Sequence, residues 1–166
     1  MQVSEDISAY GTSTIYTWAD VGVTIEAYQN GKVYVLGGSA SRLFAYHQTT
    51  IEVYDIQLAR DIEVFGDSTL NILGGRLGNS LQLYEVSHVN VYASTLSGYA
   101  CGQVLDTRGT ISGVLADGSA FSIPFSRYSS STALWLIAVS EPETLSLLGL
   151  SIAGMAFVRR RRLAAR

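Results

Sequence analysis

An all-β fold, a parallel β-solenoid, is the class this sequence predicts, on three observations. The chain is rich in tyrosine and glycine, with ten and sixteen respectively, and carries no proline before Pro124. β-Branched and aromatic residues suit a pleated surface, and glycine suits turns. Four-residue strand patterns recur every 18 or 19 residues, which marks a stack of structural repeats. Each pattern alternates apolar and outward positions, so one face of every strand is built for a shared core.

The first series reads ISAY from Ile7, IEAY from Ile25, LFAY from Leu43, IEVF from Ile62 and LQLY from Leu81. The second reads IYTW from Ile15, VYVL from Val33, IEVY from Ile51, LNIL from Leu70 and VNVY from Val89. Four residues always separate the two: GTST, QNGK, HQTT, GDST and EVSH. The return connection adds one more apolar position at Val21, Ala40, Leu58 and Leu77, which gives a three-sided coil. Stacked at about 4.8 Å per coil, equivalent residues fall into columns. The first and third strand residues point inward, and the fourth forms an aromatic ladder of Tyr10, Tyr28, Tyr46, Phe65 and Tyr84. An antiparallel sandwich also places strands at such intervals, but nothing in a sandwich holds an 18–19-residue register through five cycles. Gly37-Gly38 and Gly74-Gly75 are expected at corners that need positive φ.

The register fails after Tyr92. Residues 93–110 read as a loop leaving the stack. ISGVLA from Ile111 and SAFSIPF from Ser119 follow, joined at Asp117-Gly118, the dipeptide of a type I′ hairpin turn. Pro124 marks the second strand as an edge, and TALWLIAV from Thr132 reads as a closing strand laid across the last coil. The predicted organisation is therefore about five coils in residues 1–97, a cap of loop, hairpin and closing strand in 98–138, and a separate tail in 139–166.

Six basic against twelve acidic residues leave the body before Val139 at −6, whereas five against two leave the tail at +3. An acidic body repels phosphate backbones and carries no basic stripe, so nucleic acid is not an expected partner. The single cysteine, Cys101, has no intramolecular disulfide partner and no basic sequence neighbour to lower its pKa, and is expected to be inert and half-buried.

The outward columns are Ser8, Glu26, Phe44, Glu63, Gln82 on one wall and Tyr16, Tyr34, Glu52, Asn71, Asn90 on the other. Glu26 and Glu63, two coils apart at about 9–10 Å, sit at the upper limit for an inverting glycosidase pair, with Phe44 between them. A solvated face is the simpler reading, and Asn71 over Asn90 reads as an amide ladder. The second wall offers tyrosines and amides to a sugar, a pattern that ordinary sheet surfaces also show. His47 and His88 do not share a column, and Asp55, Asp61 and Asp67 lack the spacing of a calcium repeat. No catalytic, metal or cofactor-binding set is predicted.

The tail places Glu141-Pro142, an uncharged and mostly apolar run from Thr144 to Val158, and then Arg159, Arg160, Arg161 and Arg162. As a helix, residues 144–158 reach roughly 22 Å, a short single pass. The arginines act as a membrane stop on the cytoplasmic side, leaving the body outside. On these residues the tail resembles the PEP-CTERM sorting signals processed by exosortases in Gram-negative bacteria that make extracellular polysaccharide. Val139, Glu141, Pro142, Gly149, Gly154 and the arginine run match the pattern, while Ser140 stands at the family's first proline and Glu143 at a usually small residue. The resemblance implies a processing motif at Val139, Ser140, Glu141 and Pro142, an exosortase-type enzyme as partner, transient residence in the inner membrane, and a final place at the cell surface or outside the cell. It also brings extracellular polysaccharide into view as a partner.

MQVSEDISAYGTST holds neither a basic segment nor an apolar run of signal-peptide length, and the chain starts inside its own repeat. The expected start of the natural protein therefore lies upstream. The leading reading is a non-enzymatic surface or matrix protein. A polysaccharide-active enzyme on the same scaffold and a plain membrane-anchored binding domain stand as alternatives.

Overall fold

The computed structural model describes residues 6–18 and 24–139. Within them every regular element is a strand. The first series supplies β1 (Ile7–Ala9), β3 (Thr24–Ala27), β6 (Arg42–Ala45), β9 (Asp61–Val64) and β11 (Ser80–Leu83). The second supplies β2 (Thr14–Thr17), β4 (Lys32–Val35), β7 (Thr50–Val53), β10 (Thr69–Ile72) and β12 (His88–Ser97). Short strands β5 (Ser39–Ala40) and β8 (Gln57–Leu58) lie on the third side.

Both series form parallel ladders in the register expected from sequence. Ile7 pairs with Ile25, Ile25 with Leu43, Leu43 with Ile62, and Ile62 with Leu81. Ile15, Val33, Ile51, Leu70 and Val89 do the same on the second wall. Five rungs joined by four turns make the β-solenoid, and Ala40 and Leu58 close the core from the third side. Val21, which belongs to that column by spacing, lies outside the described residues.

One corner repeats with little change. The residue after each aromatic adopts a left-handed backbone: Gly11, Gln29, His47, Gly66 and Glu85, with φ between 57° and 67°. Two positions on, a small residue packs into the bend, and Gly31, Thr49, Ser68 and Ser87 are buried there. Coil-to-coil hydrogen bonds continue through the bend, from Gln48 N–H to Gln29 O at 2.9 Å and from Thr69 N–H to Thr49 O at 2.8 Å. The aromatics are thereby held in register, and their rings stack at centroid separations of 4.8, 4.9, 5.0 and 4.4 Å from Tyr10 through Tyr84.

The remaining strands are β13 (Gly102–Val104), β14 (Arg108–Leu115), β15 (Ala120–Arg127) and β16 (Ala133–Ala138). Here the structure departs from expectation. β15 and β16 do not lie across the last coil; they continue it. Phe125 pairs in parallel with Leu81, and Leu134 with Val89, so FSRY and LWLI form a sixth rung. Tyr128 extends the ring stack onto Tyr84 at 4.6 Å. Residues 94–124 are an insertion between the fifth and sixth rungs.

That insertion supplies the cap. β13 pairs antiparallel with the outer edge of β16, and the start of β14 covers Phe125 and Ser126 of β15. Backbone groups that would otherwise invite edge pairing are thus occupied. The hairpin turn also differs from expectation. Gly118 alone is left-handed (φ 91°), its N–H bonds Leu115 O at 3.0 Å, and Leu115 N–H bonds Ser119 O at 2.8 Å. This is a three-residue loop with a glycine bulge, because type I′ would need positive φ at Asp117 too. Pro124 faces β14 alone, just before β11 pairing begins at Phe125, so its missing N–H costs no ladder bond.

Arg127 occupies the inward column above Leu83 and ends the apolar core there. Its guanidinium donates to Val104 O at 2.7 Å, Thr132 O at 2.6 Å and Thr132 Oγ1 at 2.9 Å, tying the insertion to the sixth rung.

Leu70 is fully buried between Ile51 and Val89, whereas Glu52 faces outward from the neighbouring rung and, among the described residues, accepts only the exposed Tyr54 hydroxyl. Leu70→Asp places an uncompensated charge among aliphatics and is expected to unfold the domain. Glu52→Ala is expected to change stability by under about 0.5 kcal/mol. Thermal melts by circular dichroism check both, and equal loss in the two variants contradicts the register.

Candidate functional site

The first wall carries Ser8, Glu26, Phe44, Glu63, Gln82 and Ser126 in one outward column, next to the ring stack. The stack is bound sideways to this column: Tyr28 donates its hydroxyl to Glu26 Oε2 at 2.8 Å, and Tyr84 to Gln82 Oε1 at 2.7 Å. Burial raises the pKa of Tyr28, and the bond to Glu26 raises it further. Burial also raises the Glu63 carboxyl, with Asp61 adding repulsion and Arg42 opposing it. Glu26 and Glu63 flank Phe44 two rungs apart.

On the second wall the column is Tyr16, Tyr34, Glu52, Asn71, Asn90 and then Trp135. Asn90 Nδ2 donates to Asn71 Oδ1 at 2.8 Å, which makes the expected amide ladder. Tyr16 and Tyr34 stack on each other at 4.8 Å with planes 11° apart, so one face of each ring is turned to the other. The exposed Tyr16 at one end of this column and the exposed Trp135 at the other are its aromatic surfaces turned to solvent.

His88 Nε2 lies 3.9 Å from Asp67, a neighbour that column spacing did not predict. His47 sits in a left-handed corner. Among the described residues no group of three His, Cys, Asp or Glu side chains is placed to hold a metal. Cys101 is exposed rather than half-buried, because the insertion loop carries it clear of the core.

The third side holds a shallow concavity lined by Ser39, Ser41, Gln57, Ala59, Arg60 and Arg76. Arg60 and Arg76 are exposed, and among the described residues neither is in an ion pair. Two exposed guanidiniums on an acidic body make this concavity cationic. Sequence reading passed over them, since they fall in the irregular return connection.

A latch fastens the hairpin to the corner at Gly74-Gly75. Asp117 Oδ2 accepts from Gly75 N–H at 2.8 Å, and Oδ1 accepts from Ser119 N–H at 2.8 Å and Ser119 Oγ at 2.5 Å. Gly74 must be glycine, because a Cβ there would collide with Tyr54 O and the Asp117 carboxylate. Partial burial pushes the Asp117 pKa up, but the bonds from Ser119 and Gly75 outweigh it and leave the carboxyl below its ordinary value.

β16 leads into the predicted processing motif. β16 stops at Ala138, opposite Ala93, and Val139 N–H donates to Ala93 O at 2.9 Å. Ser140, Glu141, Pro142, the helix expected over 144–158 and Arg159 to Arg162 lie outside the described residues. Among the described residues no helix is long and apolar enough to cross a membrane.

An all-β solenoid body joined at its last strand to a C-terminal address is the class of protein these features define. Residues 138–162 match the PEP-CTERM protein-sorting motif, and the chain carries that motif as its tail. The motif implies processing by an exosortase, a membrane enzyme, and export to the cell envelope or surface. No curated protein and no solved structure matches the chain.

Asp117 tests the latch. A carboxyl with a lowered folded-state pKa stabilises above its unfolded value near about 3.9 and loses that contribution as pH falls through the folded value. Asp117→Asn is therefore expected to melt below wild type at pH 7, with the gap closing below about pH 4. A constant gap across that range contradicts an ionised latch.

Proposed function

We infer that this chain is a non-enzymatic protein of the cell surface or extracellular matrix, delivered by exosortase processing of its tail. The match of residues 138–162 to the sorting motif carries this reading. The tail passes once through the inner membrane of a Gram-negative cell with its arginines in the cytoplasm, and processing near Glu141-Pro142 releases or transfers the solenoid. A non-enzymatic role is supported by the two walls. The carboxylates best placed for chemistry are split by Phe44, and the second wall carries aromatic and amide side chains with Glu52 as its one carboxylate.

The chain fused behind an export signal, expressed in hosts with and without the sorting enzyme, tests this. Cleavage is expected only where the enzyme is present, and Arg159 to Arg162 replaced by glutamine is expected to leave the precursor mis-sorted. Equal mass and membrane attachment in both hosts overturn the reading in favour of a plain anchor.

The Arg60 and Arg76 concavity favours binding of an acidic extracellular polysaccharide, whose carboxylates the guanidiniums can grip in pairs. Polygalacturonate is the probe. Binding is expected to weaken with salt and to be lost in the Arg60→Gln, Arg76→Gln double variant. Equal binding by both proteins removes the groove from the account.

A further inference from the structure

The second wall carries a further outward column at the end of its strands. One residue beyond the last inward position of each rung, register stacks Trp18, Leu36, Tyr54, Leu73, Tyr92 and Ile137. Bonds from Leu36 N–H to Thr17 O at 2.9 Å, Tyr54 N–H to Val35 O at 2.9 Å and Leu73 N–H to Val53 O at 2.8 Å hold the rungs level up to this column. Rings and aliphatics alternate in it, with rings on the first, third and fifth rungs. Trp18 and Tyr54 are exposed, and Tyr92 and the three aliphatics are half-buried. Successive rings therefore stand two rungs apart, about 10 Å along the solenoid axis. The first wall has an aromatic on every rung and its rings face one another, whereas rings about 10 Å apart are too distant to stack together.

Two residues back on the same strands run Glu52, Asn71 and Asn90, about 7 Å to one side of the ring column. Asn90 is bonded to Asn71 at 2.8 Å, and the Tyr54 hydroxyl to Glu52 at 2.7 Å, so both rows are held in place. One bond leaves each amide with further donor and acceptor capacity. Trp135 continues the amide row as an exposed ring on the sixth rung.

A row of rings beside a row of amides fits a long, flat ligand with apolar faces and hydroxyl edges. An extended β-1,4-linked chain of pyranoses has that form. Its C–H bonds make the faces and its equatorial hydroxyls line the edges. Each sugar is turned over relative to the last, so the same face returns every second sugar, a length close to two rungs. Lys32 and Glu52 on this wall offset one another in charge, which suits a neutral chain rather than an acidic one.

We propose that the second wall is a binding platform for a neutral, extended β-1,4-linked glycan lying along the solenoid axis. Trp18, Tyr54 and Tyr92 stack on every second sugar, and Asn71 and Asn90 bond its hydroxyls. This platform is separate from the Arg60 and Arg76 concavity on the third side and does not depend on how the tail is processed.

Native affinity electrophoresis of the full chain in a polyoxyethylene detergent tests this. One gel contains hydroxyethylcellulose, a neutral β-1,4-glucan, and the other dextran, a flexible α-1,6-glucan. Retardation is expected in the first gel alone. Trp18→Ala with Tyr54→Ala is expected to weaken binding at least about tenfold, since two stacking contacts are lost. Its melt by circular dichroism is expected to stay near wild type, because both side chains are exposed. Tyr54→Phe keeps the ring and is expected to bind as wild type, as is Arg60→Gln with Arg76→Gln. Equal retardation of wild type and the ring double variant overturns the platform. So does loss of binding in the arginine variant, equal retardation by dextran, or no retardation of the wild-type chain.

Discussion

A single backbone conformation, the left-handed residue after each aromatic, sets where every coil bends. It recurs at Gly11, Gln29, His47, Gly66 and Glu85. Glycine takes this conformation without penalty, whereas Gln29, His47 and Glu85 hold it at a cost of order 1–2 kcal/mol each. The surrounding ladder over-determines it: from the second rung on, each bend is hydrogen-bonded to the bend below, and a small buried residue, Gly31, Thr49, Ser68 or Ser87, fills its inside. With the bend fixed, the two strands of a coil leave it at the same height as their neighbours. Core columns and ring stack then follow, and a shift of one residue would turn every aliphatic outward.

The same constraint explains the ends. A parallel stack has no internal way to stop, and this one stops by changing chemistry. Arg127 replaces an aliphatic in the inward column, and its guanidinium satisfies carbonyls of the insertion. β13 and β14 then occupy the exposed edges with antiparallel partners. The insertion is fastened in turn by Asp117 at the fourth-rung corner. The sixth rung is thus held from both sides up to Leu136, and the sorting motif starts where that support ends.

The five coils were legible because their periodicity is strict. Apolar residues occupy the inward columns from Ile7 to Leu81 and from Ile15 to Val89, and a fixed four-residue corner leaves one register. The sixth rung was not, for three physical reasons. An insertion separates it from the fifth, its corner has five residues in place of four, and Arg127 breaks the apolar pattern at a position where charge is useful only because the insertion folds back onto it. The hairpin was legible at Asp117-Gly118, but its turn type was not, since bulge and I′ turns share that dipeptide. The amide ladder of Asn71 and Asn90 followed from register alone. The Arg60 and Arg76 concavity did not, because it is built where the repeat is least regular. The address in the tail was readable since it depends on order and composition, whereas the run of β16 up to its first residue emerged only once β16 was seen to pair as far as Ala93.

Six stacked rungs ending at the motif is the central claim, and one distance tests it. Spin labels on Ser8→Cys and Ser126→Cys, with Cys101→Ser, sit at the first and last rungs of one outward column. Five rung spacings of about 4.8 Å predict a Cα separation of about 24 Å with a narrow distribution by pulsed electron–electron resonance. A broad distribution, or a mean beyond about 35 Å after allowing for the labels, would show that β15 does not continue the stack.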